Sequence, residues 1–384
     1  MSEELQKSAE QAELEKIEKI KQSLDKIATK KSKFLFVVPE AASPVASVYE
    51  IYFQASVVKN MGYKVIMMVE KGDYIVPTWI EKELTEFDHI AMADPKLMVS
   101  PEDVMIIPEV YTNVMEQTKN LPCVRIGLLQ SVDYMMNSLI PGTDWASFGI
   151  KDIITTSLTL KEWMETYANG SRYNIMVYDI GIPDYFEKSD MPQKPVVSVI
   201  GRNANEISKF VKLFFAKYPE YSWVTFDPMV TKSKPVKPMR RVDFAKRLKE
   251  NFAALWIDRI ASFGTFPLEC MKSGTIPICL KPDIMPEYMV ERDEEGKINK
   301  IVDGGGVWTE NYYDLPLLVG EVLVKFLDDG IKDELYENMD KIVARYNQTD
   351  SEAKLVEIFT DVLKRRTEFL TKAIPPAQPV EAEK

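Results

Sequence analysis

The chain has 384 residues, 46% of them hydrophobic, and a formal net charge of −11 at pH 7. That length predicts two core domains with extensions rather than one, and the charge excludes a protein whose whole surface grips nucleic acid, though not one with a single basic groove. No apolar run approaches the roughly 20 residues of a membrane span. The N-terminus has no apolar signal region, so a soluble protein kept in the cytoplasm is expected. Cys123, Cys270 and Cys279 stand in apolar surroundings without metal-ligand spacing and read as buried small hydrophobes. With His89 as the lone histidine, Ser-His-Asp chemistry and multi-histidine metal sites find little support.

In chain order, residues 1–32 read as an N-terminal helix, with Leu5, Leu14, Ile17, Ile20, Leu24 and Ile27 on one stripe. This helix either docks on the body, pairs with a second copy to give a homo-oligomer, or lies solvated on its own domain. Phe34–Val38 is a compact apolar strand, Val45 to Asn60 is amphipathic at helical spacing, and Tyr63–Val69 is the next strand. Strand-like runs recur at His89–Ala93, Val104–Ile107, Val124–Leu129 and Ile153–Thr155. A second series starts at Pro195–Ile200. It continues through a helix near Glu206–Lys217, a strand at Ser222–Phe226, a helix near Asp243–Asn251 and a strand at Ala254–Ile257. Such alternation predicts parallel sheets covered by helices on both faces.

Prolines near Ile182–Lys194 place a boundary there. The division is therefore 33–186, 187–350 and a helix over 351–373, with a Pro-rich, disordered tail over 374–384. Two Rossmann-like, doubly wound α/β domains facing a central cleft follow. Ligands in such folds collect at the carboxyl ends of the strands.

The most informative segment runs from Ala261 through Phe263-Gly264-Thr265-Phe266-Pro267-Leu268-Glu269 to Gly274 and Pro277. Gly264 allows backbone conformations that other residues avoid, and Pro267 suits the first helical position, where the missing N–H costs nothing. The helix start offers free N–H groups and a partial positive charge, which suit an anion. Glu269 then lies in the first turn, where a carboxylate can also accept hydrogen bonds from sugar hydroxyls. Ile276 to Leu280 reads as a buried strand.

This segment resembles the donor-site signature E-G-F-G-L-P-x-L-E-A-M-A-x-G-x-P-V of retaining, nucleotide-sugar-dependent glycosyltransferases of the GT-B type. Phe263, Gly264, Leu268, Glu269, Met271, Gly274 and Pro277 match in register, whereas Ala261 replaces the first glutamate of the family pair. The resemblance implies that Glu269 holds the donor ribose and that Gly264, Thr265, Phe266 and Leu268 shape the donor site. Gly201-Arg202, after the first strand of the second series, matches a Gly-Arg pair that holds the donor diphosphate. Lys209 stands about two residues from the accompanying lysine, and Arg259 is either a further diphosphate contact or the ion-pair partner of Asp258. No metal motif is visible and the family does not usually need one, so no cofactor is expected and the nucleotide sugar is a substrate.

The first domain departs from the family pattern. Gln130 stands where many members carry histidine, and it can hydrogen-bond a sugar hydroxyl but cannot take a proton near neutral pH. Asp133 is either a catalytic base or a helix cap, and Glu40 is either a base at a strand end or a solvent-facing turn carboxylate. Ser157 or Thr159 reads as a helix cap. A basic run from Lys232 to Lys249, including Arg240, Arg241 and Arg247, either approaches the nucleotide, grips an acidic acceptor such as DNA, or is a solvated face. Gly304-Gly305-Gly306 reads as a flexible turn.

The resemblance thus implies a hexosyl- or pentosyltransferase using a nucleotide-sugar donor, with a glycan, lipid, protein or modified DNA base as acceptor. The alternative is a non-catalytic GT-B-fold protein serving binding or assembly. A nucleotide-sugar epimerase of this architecture would want more acid–base residues in the cleft.

Overall fold

The computed structural model describes residues 32–41, 44–190, 192–201, 203–228, 239–257, 263–296, 298–301, 305–327 and 329–372. The N-terminal helix, the C-terminal tail, Arg202, Arg259, Ala261, Gly304 and the lysines at 232, 234 and 237 lie outside these residues.

The first half alternates strand and helix: β1 (Lys33–Val37), α1 (Ala46–Asn60), β2 (Lys64–Val69), α2 (Lys82–Thr85), β3 (Asp88–Ala91), β4 (Val104–Pro108), α3 (Thr112–Gln117), β5 (Val124–Leu129), α4 (Val132–Ser138), β6 (Asp152–Thr155), α5 (Leu158–Tyr167) and β7 (Asn174–Val177). Its seven strands form one parallel sheet in the order β3-β2-β1-β4-β5-β6-β7. Successive side chains of a strand point to opposite faces. Phe34, Phe36 and Val38 therefore enter one apolar cluster while Leu35 and Val37 enter another. Both faces are covered, which is why these strands read as continuous apolar runs.

The second half holds β8 (Lys194–Ile200), α6 (Ala204–Lys217), β9 (Thr225–Pro228), α7 (Arg241–Glu250), β10 (Asn251–Trp256), α8 (Thr265–Lys272), β11 (Ile276–Leu280), the antiparallel pair β12 (Val290–Arg292) and β13 (Ile298–Ile301), β14 (Val307–Thr309), α9 (Leu315–Leu327), α10 (Asp329–Val343) and α11 (Gln348–Lys372). The order β14-β11-β10-β8-β9 is again all parallel, so this too is a doubly wound sheet.

Several expected bounds shift. Asn251 opens β10 instead of ending the preceding helix. Its amide donates to Ser198 Oγ at 2.6 Å, so this polar residue is satisfied inside the sheet. The strand expected at Ser222–Phe226 runs Thr225–Pro228, because a 3₁₀ turn occupies Pro219–Tyr221. Helix α1 is buried over most of its surface rather than amphipathic. The sheet covers one side and α11 the other, with Phe359 edge-on to Phe34 at 5.6 Å and Phe36 at 6.3 Å.

The chain crosses between the halves twice, side by side. The Ile182 N–H donates to Tyr346 O at 2.8 Å, and Ile182 bridges Asn347 in parallel. A Cβ on Gly181 would meet Gln348 Cα at 2.5 Å, so only glycine lets the two backbones approach here. The stretch from Tyr178 to Phe186 is thus a packed crossing. Among the described residues no helix is long and apolar enough to cross a membrane, and all three cysteines are buried and unpaired.

Candidate active site between the two sheets

In the second sheet the strand order reverses direction between β8 and β10. Their pairing continues one step past the strands, with Ile257 N–H donating to Ile200 O at 3.0 Å. Gly201 follows at one lip of this crevice, and Gly264 heads α8 at the other. Gly264 has φ 76°, and a Cβ there would lie 2.6 Å from the Tyr288 hydroxyl. That hydroxyl donates to Gly264 O at 3.0 Å, fixing the turn into the helix. The opening N–H groups of α8 are therefore held at the carboxyl edge of the sheet, where they suit an anion.

The other donor-side residues divide by environment. Thr265 is buried, Phe266 is half-buried beside Phe244, and Leu268 is wholly in the core. Lys209 is exposed on α6, where its ammonium donates to the Tyr313 hydroxyl at 2.7 Å and lies 4.4 Å from that ring centroid.

Helix α8 opens at Thr265, directly after the left-handed Gly264, so Pro267 is its third residue rather than its first and Glu269 lies past the first turn. Glu269 is buried and ion-paired with Arg241, the first residue of α7. Burial pushes the Glu269 carboxyl up, and the charge and hydrogen bond of Arg241 oppose that rise. The Arg241 guanidinium also lies 3.6 Å from the centroid of Tyr49 on α1, and its backbone N–H donates to Trp79 O at 2.9 Å. One glutamate of the motif thus joins an arginine that binds both halves of the molecule. Arg241 stood out in the sequence only as part of a basic run. The described arginines of that run are each paired with a carboxylate: Arg240 on Asp243 at 2.8 Å and Arg247 on Asp227 at the surface, and Arg241 on Glu269 in the interior.

On the first sheet the reversal falls between β1 and β4. Glu40 lies exposed beyond β1. Burial first, then the neighbouring charges of Glu70 and Glu40, push the Tyr111 hydroxyl up to about 12. Gln130 is buried, and its amide donates to Ser47 O at 3.2 Å, tying the loop after β5 to the start of α1. Asp133 sits inside the first turn of α4, while Ser131 occupies the capping position, so Asp133 is not the helix cap.

Sequence reasoning missed Glu109, which directly follows β4. Its side chain is 2% exposed and Oε2 has no hydrogen-bond partner. Burial pushes this carboxyl up to about 8, against backbone hydrogen bonds from Gln130 and Ser131. The signal was present as Pro108-Glu109 directly after an apolar strand. A second buried carboxyl, Glu50 of α1, accepts from the Tyr178 hydroxyl at 2.8 Å and is pushed up by burial to about 7.

The halves also meet opposite this point. Glu287, from the loop after β11, accepts from Thr159 N–H at 3.0 Å and Thr159 Oγ1 at 2.7 Å. Arg292 of β12 pairs with the same Glu287 at 2.6 Å and reaches Glu162 of α5. Burial works against the Glu287 charge, yet the bonds from Arg292 and Thr159 outweigh it and hold the carboxyl below its usual range. Thr159 is therefore a cross-domain contact. Ser157 is the cap of α5, accepting from Leu160 N–H at 3.2 Å. Among the described residues no group of three or more His, Cys, Asp or Glu side chains is placed to hold a metal ion.

Two doubly wound parallel sheets, joined by a double crossing and meeting through the loops at their carboxyl edges, define the GT-B fold of nucleotide-sugar glycosyltransferases. Solved structures place the chain in that fold. A sucrose-phosphate synthase from Thermosynechococcus elongatus matches with TM-score 0.58 and 10% identity, over 87% of this chain and 100% of its own. A glycosyltransferase from Rickettsia africae ESF-5 matches with TM-score 0.57 and 14% identity, over 87% and 99%. An alpha-glucosyltransferase in complex with UDP and a 13-mer DNA containing an HMU base matches with TM-score 0.52 and 11% identity, over 87% and 100%. No protein-family model and no curated protein matches the chain.

Proposed function

We propose that this protein transfers a sugar from a nucleotide-sugar donor, of the uridine diphosphate class, to an acceptor hydroxyl. The observation that carries this reading is the crevice between β8 and β10, with Gly201 at one lip and the Gly264-headed start of α8 at the other. UDP in one structural neighbour supports the choice of nucleotide. The donor diphosphate would lie against the opening N–H groups of α8, balanced by Arg202, Lys209 and Arg259. The acceptor oxygen would form a bond to the anomeric carbon as the bond from that carbon to the diphosphate oxygen breaks. UDP would then leave, with its charge stabilised by these fixed donors. Glu40 or Asp133 would take the acceptor proton, and Gln130 would orient the hydroxyl. Glu269 would reach the ribose once Arg241 is drawn off its carboxylate, or would act through Arg241 alone.

Incubation with UDP-glucose and with UDP-N-acetylglucosamine tests the reading, with free UDP as the readout. Time-dependent UDP release above the protein-free rate is expected with one of them. The engagement of Glu269 by Arg241 favours a second reading, a non-catalytic protein that binds the nucleotide without turnover. Saturable UDP binding with no release from any donor would establish it.

A further inference from the structure

The loops after β1, β4, β5 and β6 of the first sheet lie side by side at one edge, because these strands are adjacent and parallel. They are stitched together: Gln130 bonds Ser47 O at 3.2 Å, the Ser138 hydroxyl bonds Glu109 O at 2.6 Å, and α4 packs on the turn at Glu109–Tyr111. Two features of these loops stand together. They expose five large apolar side chains, Val45, Val110, Met136, Ile140 and Leu158, from 36% at Val45 to 55% at Ile140. Over residues 38–47, 108–113, 130–142 and 156–160 they also carry two carboxylates, Glu40 and Asp133, beside the buried carboxyl of Glu109, and no lysine or arginine.

A phosphate-bearing acceptor needs cations, since phosphate contacts dominate the affinity of nucleic-acid binding. This edge supplies none, and the described arginines of the basic run are engaged by carboxylates of their own half. Exposed apolar groups grouped at a ligand-facing edge instead mark a binding surface, and a few polar groups among them fix orientation.

We infer that the acceptor is an uncharged hydroxyl compound with an apolar aglycone, seated on the apolar rim formed by the loops after β1, β4, β5 and β6. This rests on the reading of the cleft as a sugar-transfer site. The apolar part covers Val110, Met136 and Ile140, and the hydroxyl end turns toward Glu40 and Gln130. A polyanion such as DNA is repelled from the same loops.

Equilibrium binding to the nucleotide-free full chain tests this without turnover. The probes are octyl glucoside below its micelle concentration, glucose, and a 13-mer DNA duplex at about 0.1 M salt. The glucoside is expected to bind at least tenfold tighter than glucose, with the duplex weaker than both. Met136→Glu and Ile140→Glu, both at exposed positions, are each expected to weaken glucoside binding about tenfold while leaving UDP binding unchanged. Equal affinity for glucoside and glucose, tightest binding of the duplex, or no effect of both substitutions would overturn the inference. If UDP itself failed to bind, the sugar-transfer reading would fail instead, and separately.

Discussion

Glu109 and Glu50 are carboxyls that the fold keeps from water, and the consequence is a pH dependence of stability. Their values rise from 4.5 to about 8 and about 7, in both cases chiefly through burial. Between pH 4.5 and those values the folded chain keeps protons that the unfolded chain sheds. Stability is therefore highest at the acid end of this window and falls as pH rises through it. Glu109→Gln removes one such group. Its stability relative to wild type should grow between pH 5 and 8, by up to about 1.4 kcal/mol per pH unit. Urea titrations at three pH values measure this, and a pH-independent difference would contradict it. Arg241 and Glu269 make the opposite kind of case. Glu269→Ala leaves a buried guanidinium without its partner and should cost about 3–5 kcal/mol, whereas the double change Arg241→Met with Glu269→Leu should cost less. Urea midpoints of the two variants compare them directly. The match of Glu269 to a family signature was legible in the sequence. Its partner was not, because the pairing joins α7 to α8 and depends on where Tyr49 and Trp79 of the other half place the guanidinium.

Among the elements, those that bury both faces were the legible ones. The strands over Phe34–Val38, Val104–Ile107 and Val124–Leu129 show as unbroken apolar runs because helices cover the sheet on both sides. Strands β7 and β14 escaped notice; both are short, partly buried edge strands, as is β3, which the apolar Ile90-Ala91-Met92-Ala93 made visible. The amphipathic reading of α1 failed for a related reason: α11, some three hundred residues away in sequence, supplies its second cover. The pair β12–β13 carries Arg292, which fastens Glu287 and Glu162 across the halves. Arg292→Ala strands a buried carboxylate and should lower stability by about 3 kcal/mol. It should also widen the molecule, seen as a larger radius of gyration in small-angle scattering, and an unchanged radius would show that the latch does not hold the halves together. At the crossing, Gly181→Ala drives a Cβ into Gln348. Because the obstacle is backbone, a loss of more than about 2 kcal/mol is expected in thermal or urea unfolding.

At the scale of the whole molecule, two sheets of independent order present their carboxyl edges to each other. Beside the apolar packing of α11 on the first half, the halves share polar contacts: Glu287 with Thr159, Arg241 with Tyr49, and Gln348 with Tyr49 at 3.3 Å. Buried polar contacts of this kind hold one arrangement well when fully satisfied and yield when a ligand competes for a partner. The central claim is that a donor nucleotide competes at the crevice between β8 and β10. Backbone hydrogen exchange of the full chain, with and without saturating UDP, tests this most directly, because the opening N–H groups of α8 have no partners within the helix. The account predicts slowed exchange at Gly201 and across Gly264–Glu269. Unchanged exchange in both segments, or protection confined to the loops of the first sheet, would contradict it.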